Sequence, residues 1–138
     1  APNIGSGVHS TSSNNVVIED NKTDNTGWDG VRVNFGDNVL VKINDIDNAF
    51  RTGVYLGQTT NSSAIGNDID KVGNYGINLD RGSNVTADGN SIDATGLDGI
   101  RALRNATSTV KNNKIGQTGV ANNIKGNGII VDGGTNST

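Results

Sequence analysis

Asparagine recurs at positions 21, 44, 67, 90 and 113, and every step is 23 residues. Two further columns keep the same step: Gly7, Gly30, Gly53, Gly76 and Gly99, and Asn15, Asn38, Asn61 and Asn84. A fixed period of this length belongs to a chain that winds on itself, turn upon turn. Each turn then contacts only its neighbours, and residues one period apart lie side by side. The repeat accounts for most of the chain. Residues that depart from it, or that line one exposed column, are therefore the ones that bear on function.

Each period holds three short stretches of strand character, divided by Asn, Asp and Gly. In the first full repeat they are Val16-Val17-Ile18, the stretch around Thr23, and Gly30-Val31-Arg32-Val33. Apolar and polar residues alternate in the third stretch, as in Val31 and Val33, Val54 and Leu56, Ile77 and Leu79, and Ile129 and Val131. Period two marks a strand with one buried face. Two more columns are expected to point inward: Ile18, Val41, Ala64, Ala87 and Val110, and Thr23, Ile46, Ile69, Ile92 and Ile115. Three strands in 23 residues make one coil of a parallel β-helix. The expected fold is all-β, a solenoid of about five to six coils. At a strand spacing of roughly 4.8 Å it is a rod about 25–30 Å long. The chain reads as a single domain over residues 1–138, either whole or a fragment of a longer β-helix.

Composition agrees once the placement of the apolar residues is known. Hydrophobic content is 32% and aromatic content 4%, values that suit a disordered chain only when net charge is high. Here the net charge is -3, and a solenoid coil needs few apolar residues because its neighbours cover it. With no cysteine, disulfides and thiolate chemistry are excluded. No run approaches the roughly 18 apolar residues of a membrane span, so no membrane is expected as partner. The pI of 4.9 and the lack of a basic cluster argue against nucleic acid.

The asparagine column reads as a ladder, since a side-chain amide both donates and accepts. The glycine column is expected to open the third strand at a bend, where glycine relieves the limit on φ, with Gly36, Gly66 and Gly82 at the other bends.

The pattern Asn-x-Ile-x…Gly-Ile-x-Leu, present as Asn67-Asp68-Ile69 with Gly76-Ile77-Asn78-Leu79, resembles the repeat of the pectate-lyase-like superfamily of right-handed parallel β-helices. That group holds polysaccharide lyases, mannuronan epimerases and phage tailspike depolymerases. The resemblance covers nearly the whole chain and implies a right-handed coil. It also implies that the face built from the third strands carries a polysaccharide groove. The Tyr-x-Asp-Pro-His element of the mannuronan epimerases is absent, as Pro2 is the only proline, and so is the calcium-binding Gly-Gly-x-Gly-x-Asp nonapeptide.

On that face the outward column is His9, Arg32, Tyr55, Asn78, Arg101 and, after an insertion, Ile130. Arg pairs bidentately with carboxylates, and Tyr stacks on a sugar face. Arg32, Tyr55, Asn78, Asp80 and Arg101 are thus the expected polysaccharide-binding residues, against the alternative of a merely solvated strand face. If the face is catalytic, His9 or Tyr55 is the candidate base of a lyase or epimerase, and Arg32 the group that neutralises a uronate. Asp80 and Asp132, two coils apart, are the carboxylates a glycosidase would use. A column of like charges at Asp24, Asp47, Asp70 and Asp93 needs compensation. Asp47 and Asp70, with Asp45 and Asp68, are candidate Ca2+ ligands. The preferred expectation is no cofactor, with turn hydrogen bonds and Lys22, Lys71 and Lys114 compensating. The six extra residues of the last repeat fall at 120–125, a loop that either walls the face or is a tolerated insertion. The sequons at Asn21, Asn61, Asn84, Asn105 and Asn136 carry no weight in a chain with 22 asparagines.

Two functions follow. One is an extracellular or surface-located module that binds or processes polysaccharide. The other is a structural solenoid, either a spacer in a surface or phage protein or a subunit stacking end to end. The ends of the sequence show no amphipathic capping helix, which fits further coils or self-association.

Overall fold

The structure, a computed structural model, describes residues 5–119 and 126–133. Three parallel sheets run the length of the rod. The first stacks Val8–Thr11, Val31–Asn34, Val54–Gly57, Ile77–Asp80, Ile100–Leu103 and Ile129–Asp132. The second stacks Val17–Glu19, Leu40–Lys42, Thr60–Ile65, Ser83–Asp88 and Ser108–Lys111. The third stacks Lys22–Asp24, Asp45–Asp47, Asp68–Val72, Ser91–Thr95 and Lys114–Ile115. Successive coils pair at an offset of 23, as in Arg32 with Tyr55 and Ile46 with Ile69. The one exception is Ile100 with Ile129, an offset of 29, so the insertion leaves the register of the first sheet intact. Residues 120–125 themselves lie outside the described residues.

The expected inward columns form the core. Val31, Val54, Ile77 and Ile100 are wholly buried, as are Val33, Leu56, Leu79 and Ala102. Ile46, Ile69 and Ile92 fill the third sheet's share, with Val41, Ala64 and Ala87 opposite. Each buried aliphatic side chain contributes about 1.5–3 kcal/mol, and stacking makes the contributions repeat with the coil. Ile129 and Val131 keep the inward register but remain half-exposed, because no described coil packs over them.

The asparagine ladder is continuous. Asn44 Nδ2 donates to Asn67 Oδ1 at 2.9 Å, and Asn67 Nδ2 to Asn90 Oδ1 at 2.9 Å. Asn21 and Asn90 extend the row in the same sense to Asn44 and Asn113. Each oxygen also accepts the backbone N–H of the preceding coil's asparagine, and each buried amide donates to a backbone carbonyl 26 residues earlier. Asn44, Asn67 and Asn90 are about 1% exposed, so these bonds satisfy groups that water cannot reach.

The glycine column has a different cause from the expected one. Gly30, Gly53, Gly76 and Gly99 are not in the left-handed region. A Cβ on Gly76 would lie 2.4 Å from Ile92 Cγ2 and 2.6 Å from the Gly99 carbonyl oxygen. Glycine is there because the next coil's backbone and the third sheet's isoleucine occupy the space of a side chain. Gly36 and Gly82 are likewise crowded rather than left-handed, while Gly66 does take φ +60. The left-handed positions form four other columns, in which asparagine, aspartate and glycine alternate with residues that rarely take this conformation. Asn15, Asn38, Asn61 and Asn84 make one, at φ 48 to 56. Ser12, Phe35, Gln58, Arg81 and Arg104 make a second, and Asn25, Asn48, Lys71 and Ala94 a third. The fourth runs through Asp20, Ile43, Gly66, Gly89 and Asn112, directly before the ladder. These fixed corners turn the chain from one sheet to the next.

Candidate functional site

The first sheet aligns the expected outward row: His9 pairs with Arg32, Arg32 with Tyr55, Tyr55 with Asn78, Asn78 with Arg101, and Arg101 with Ile130. His9 is exposed, and Arg32, Tyr55, Asn78 and Arg101 are partly covered. The arginines are held by the protein itself. Arg32 Nη1 donates to Asp29 Oδ2 at 2.8 Å, and its guanidinium lies 4.5 Å from the centre of the Tyr55 ring. Asp29 is 1% exposed, and its other oxygen accepts the Thr52 N–H at 3.1 Å. A buried carboxylate with both oxygens engaged therefore fixes the guanidinium from below, and the phenol flanks it.

Three coils further on, Arg101 lies 4.9 Å from the centre of the Tyr75 ring and donates through Nη1 to the Tyr75 hydroxyl. Asp29 and Tyr75 belong to one column with Thr52 and Asp98, each 23 apart. That column changes residue type at every coil, so repetition of one residue does not reveal it. The signal that finds it is the position three before each outward residue: Asp29 before Arg32, Tyr75 before Asn78, Asp98 before Arg101. Asp98 accepts both the N–H and the side-chain amide of Asn127, at 2.9 and 3.0 Å, and so anchors the chain where it re-enters the coil after the insertion.

Asp80 does not stand free on this face. It is nearly buried, and its Oδ1 accepts from Arg104 Nε and Nη2 at 3.0 and 2.7 Å. Its Oδ2 lies 3.3 Å from Arg81 Nε. Both of its oxygens thus face arginines of this chain, and Leu103 lies between it and Asp132 in register. The Tyr55 ring leans across Gly57, where a Cβ would meet Tyr55 Cε1 at 2.4 Å. Burial pushes the Tyr55 phenol above its ordinary value, and the negative charge of Asp80 pushes it further. That shift is opposite to what a base at neutral pH requires.

The acidic column lies on the third sheet. Asp45, Asp47, Asp68, Asp70 and Asp93 surround an open hollow of about 360 Å³. Lysines answer part of the charge: Lys22 lies 2.7 Å from Asp45, and Lys71 lies 2.8 Å from Asp70 and 3.5 Å from Asp47. Lys22 is held above its ordinary value chiefly by its hydrogen bond to Asp45, and Lys71 by its hydrogen bond to Asp70 and then the charge of Asp47. Asp93 accepts the N–H groups of Gln117 and Ala94, which hold its carboxyl below the ordinary value; Lys114 adds a smaller pull. Among the described residues no three acidic or imidazole groups converge on one point as a metal requires. Asp47 and Asp70 share Lys71 instead.

Taken together, the three ladder-bonded sheets and the patterned outer face define a parallel β-solenoid. A family model described as "Right handed beta helix region" matches residues 2–138, and the chain belongs to that family. Comparison with curated proteins and with solved structures yields no match.

Proposed function

We propose that this chain is a polysaccharide-binding β-helix module that holds an extended glycan along the outer face of the first sheet without cleaving it. One observation carries the reading. Arg32, fixed by Asp29 and stacked on Tyr55, and Arg101, fixed by Tyr75, present two set guanidinium–phenol pairs on a single sheet. Side chains already ordered lose little entropy on binding, and an amide at Asn78 lies between the two pairs. The groups suit a hydroxylated chain carrying carboxylates, met outside the cell or at a cell or virion surface. Binding is favoured over catalysis because Asp80 is neutralised by two arginines and the Tyr55 phenol is held in its protonated form.

The competing reading is a structural solenoid, a spacer or a rod that stacks end to end. The internal pairing of Asp29 and Asp80 favours it, since such a face needs no ligand. The test is an array of acidic and neutral polysaccharides probed with the purified chain and with the Tyr55→Ala/Arg101→Ala variant, sedimentation being followed in parallel. Binding that weakens by about tenfold or more in the variant is expected. A chain that binds no glycan but sediments as long assemblies overturns the proposal in favour of the rod.

A further inference from the structure

The corner between the third and first sheets holds a second concave surface, separate from the outer row. It is an open groove of about 700 Å³, lined by Ala49, Phe50, Val72, Gly73, Ala94 and Gly96 together with the polar Asn48, Arg51, Lys71 and Asn74. Volume and lining are those of a small-molecule site, apolar with a few polar groups. Phe50 departs from the repeat: its column is otherwise Gly27, Gly73, Gly96 and Gly119. The ring is 74% exposed, so it does nothing for the core. The backbone beneath it is already bonded, with Phe50 N–H donating to the Thr26 carbonyl and Gly73 N–H to that of Ala49. The corner therefore has no need of a phenylalanine to hold its shape.

Arg51 is the second departure. Arg32, Arg81 and Arg104 pair with carboxylates, and Arg101 bonds to a phenol. Arg51 forms no ion pair among the described residues, and its guanidinium lies 5.9 Å from the centre of the exposed Trp28 ring. The other cation at the groove, Lys71, is occupied by Asp70 and Asp47. A guanidinium with no ion pair among the described residues, beside a largely apolar trough, matches a ligand that carries both an anionic group and an apolar body.

We propose that this groove binds a small aromatic carboxylate, its ring against Phe50 and the glycine-lined floor and its carboxylate paired with Arg51. A planar carboxylate takes two parallel hydrogen bonds from a guanidinium. A flat ring gains an offset or edge contact with Phe50. A sugar is the weaker fit, because its hydroxyls need partners on every side and Ala49, Phe50, Val72, Gly73, Ala94 and Gly96 offer it no polar side chain.

The test is isothermal titration calorimetry of the full chain with 2-naphthoate, with uncharged 2-naphthamide, and with a glucuronate disaccharide. Phe50→Ala and Arg51→Gln are compared with wild type, and Thr86→Ala on the outer face of the second sheet is the control. Both test positions are exposed, so the fold is expected to survive. Supporting results are naphthoate binding to one site, weaker by about tenfold or more in each test variant and for the amide, and unchanged in Thr86→Ala. Equal binding of acid and amide, or variants that bind as wild type does, overturns the proposal. So does disaccharide binding lost in Arg51→Gln without any naphthoate binding, which would assign the groove to sugar.

Discussion

Two corners of the coil do the same mechanical job and are built on opposite rules. Between the second and third sheets, asparagine stands at every coil; the side chains of Asn21 to Asn90 donate to the next coil's asparagine, and those of Asn44, Asn67 and Asn90 also donate to a backbone carbonyl of the preceding coil. Between the third and first sheets, the corresponding positions read Gly27-Trp28, Phe50-Arg51, Gly73-Asn74 and Gly96-Leu97, with their N–H groups from Trp28 on bonded from coil to coil through the backbone and Thr95 Oγ1 donating to the Leu97 carbonyl. The first corner is inside, where every polar group must find a partner within the protein. The second faces water, where the backbone is already satisfied and side chains are free to differ. Uniformity therefore marks what the fold needs, and variety marks where it leaves room for recognition.

The comparison is broken most directly at the ladder. Asn67→Ala removes two acceptor and two donor contacts from a site about 1% exposed, and is expected to cost about 3 kcal/mol by urea denaturation. A loss under about 1 kcal/mol would mean that the ladder is not a principal support. A change of opposite sign is expected one position before the ladder. Ile43 is a β-branched residue held at φ 53, where its column carries glycine at 66 and 89 and asparagine at 112. Ile43→Asn is expected to raise stability by about 1 kcal/mol, read as a higher denaturation midpoint. At the other corner Phe50→Ala is expected to change stability by less than about 0.5 kcal/mol. If its cost matches that of the ladder variant, the aromatic corner is a support as well, and its freedom to vary is lost as an indicator of function.

The sequence made the columns legible because a coil places like next to like. The inward apolar residues, the ladder and the outward row from His9 to Arg101 all follow from a count of 23. What the count cannot show is the direction from which space is taken. Gly76 looks like a residue chosen for its backbone freedom, yet Ile92 and the Gly99 carbonyl are what exclude a side chain there. The left-handed corners hide for a related reason: Phe35, Gln58 and Arg81 are not turn-forming types, and stacking imposes the conformation on them. At the candidate site the arginines were visible, but their anchors were not. Asp29 and Tyr75 lie in a column whose chemistry changes at each coil, and only the geometry shows Arg32 bonded to the one and Arg101 to the other. The same geometry removed Asp80 from the free acceptors by placing Arg104 and Arg81 on it.

The ladder has one more property. The side-chain amides of Asn21, Asn44, Asn67 and Asn90 all point the same way, each nitrogen donating one N–H to the asparagine of the next, C-terminal coil. The amide dipoles therefore add along the rod instead of cancelling. Each bond polarises the next, an effect of about 10–30% per bond in a low-dielectric interior. A break in the middle then weakens the links on both sides of it, whereas a break at either end weakens one. The rod has an electrical polarity, and its tolerance of damage grades from the middle of the row outward.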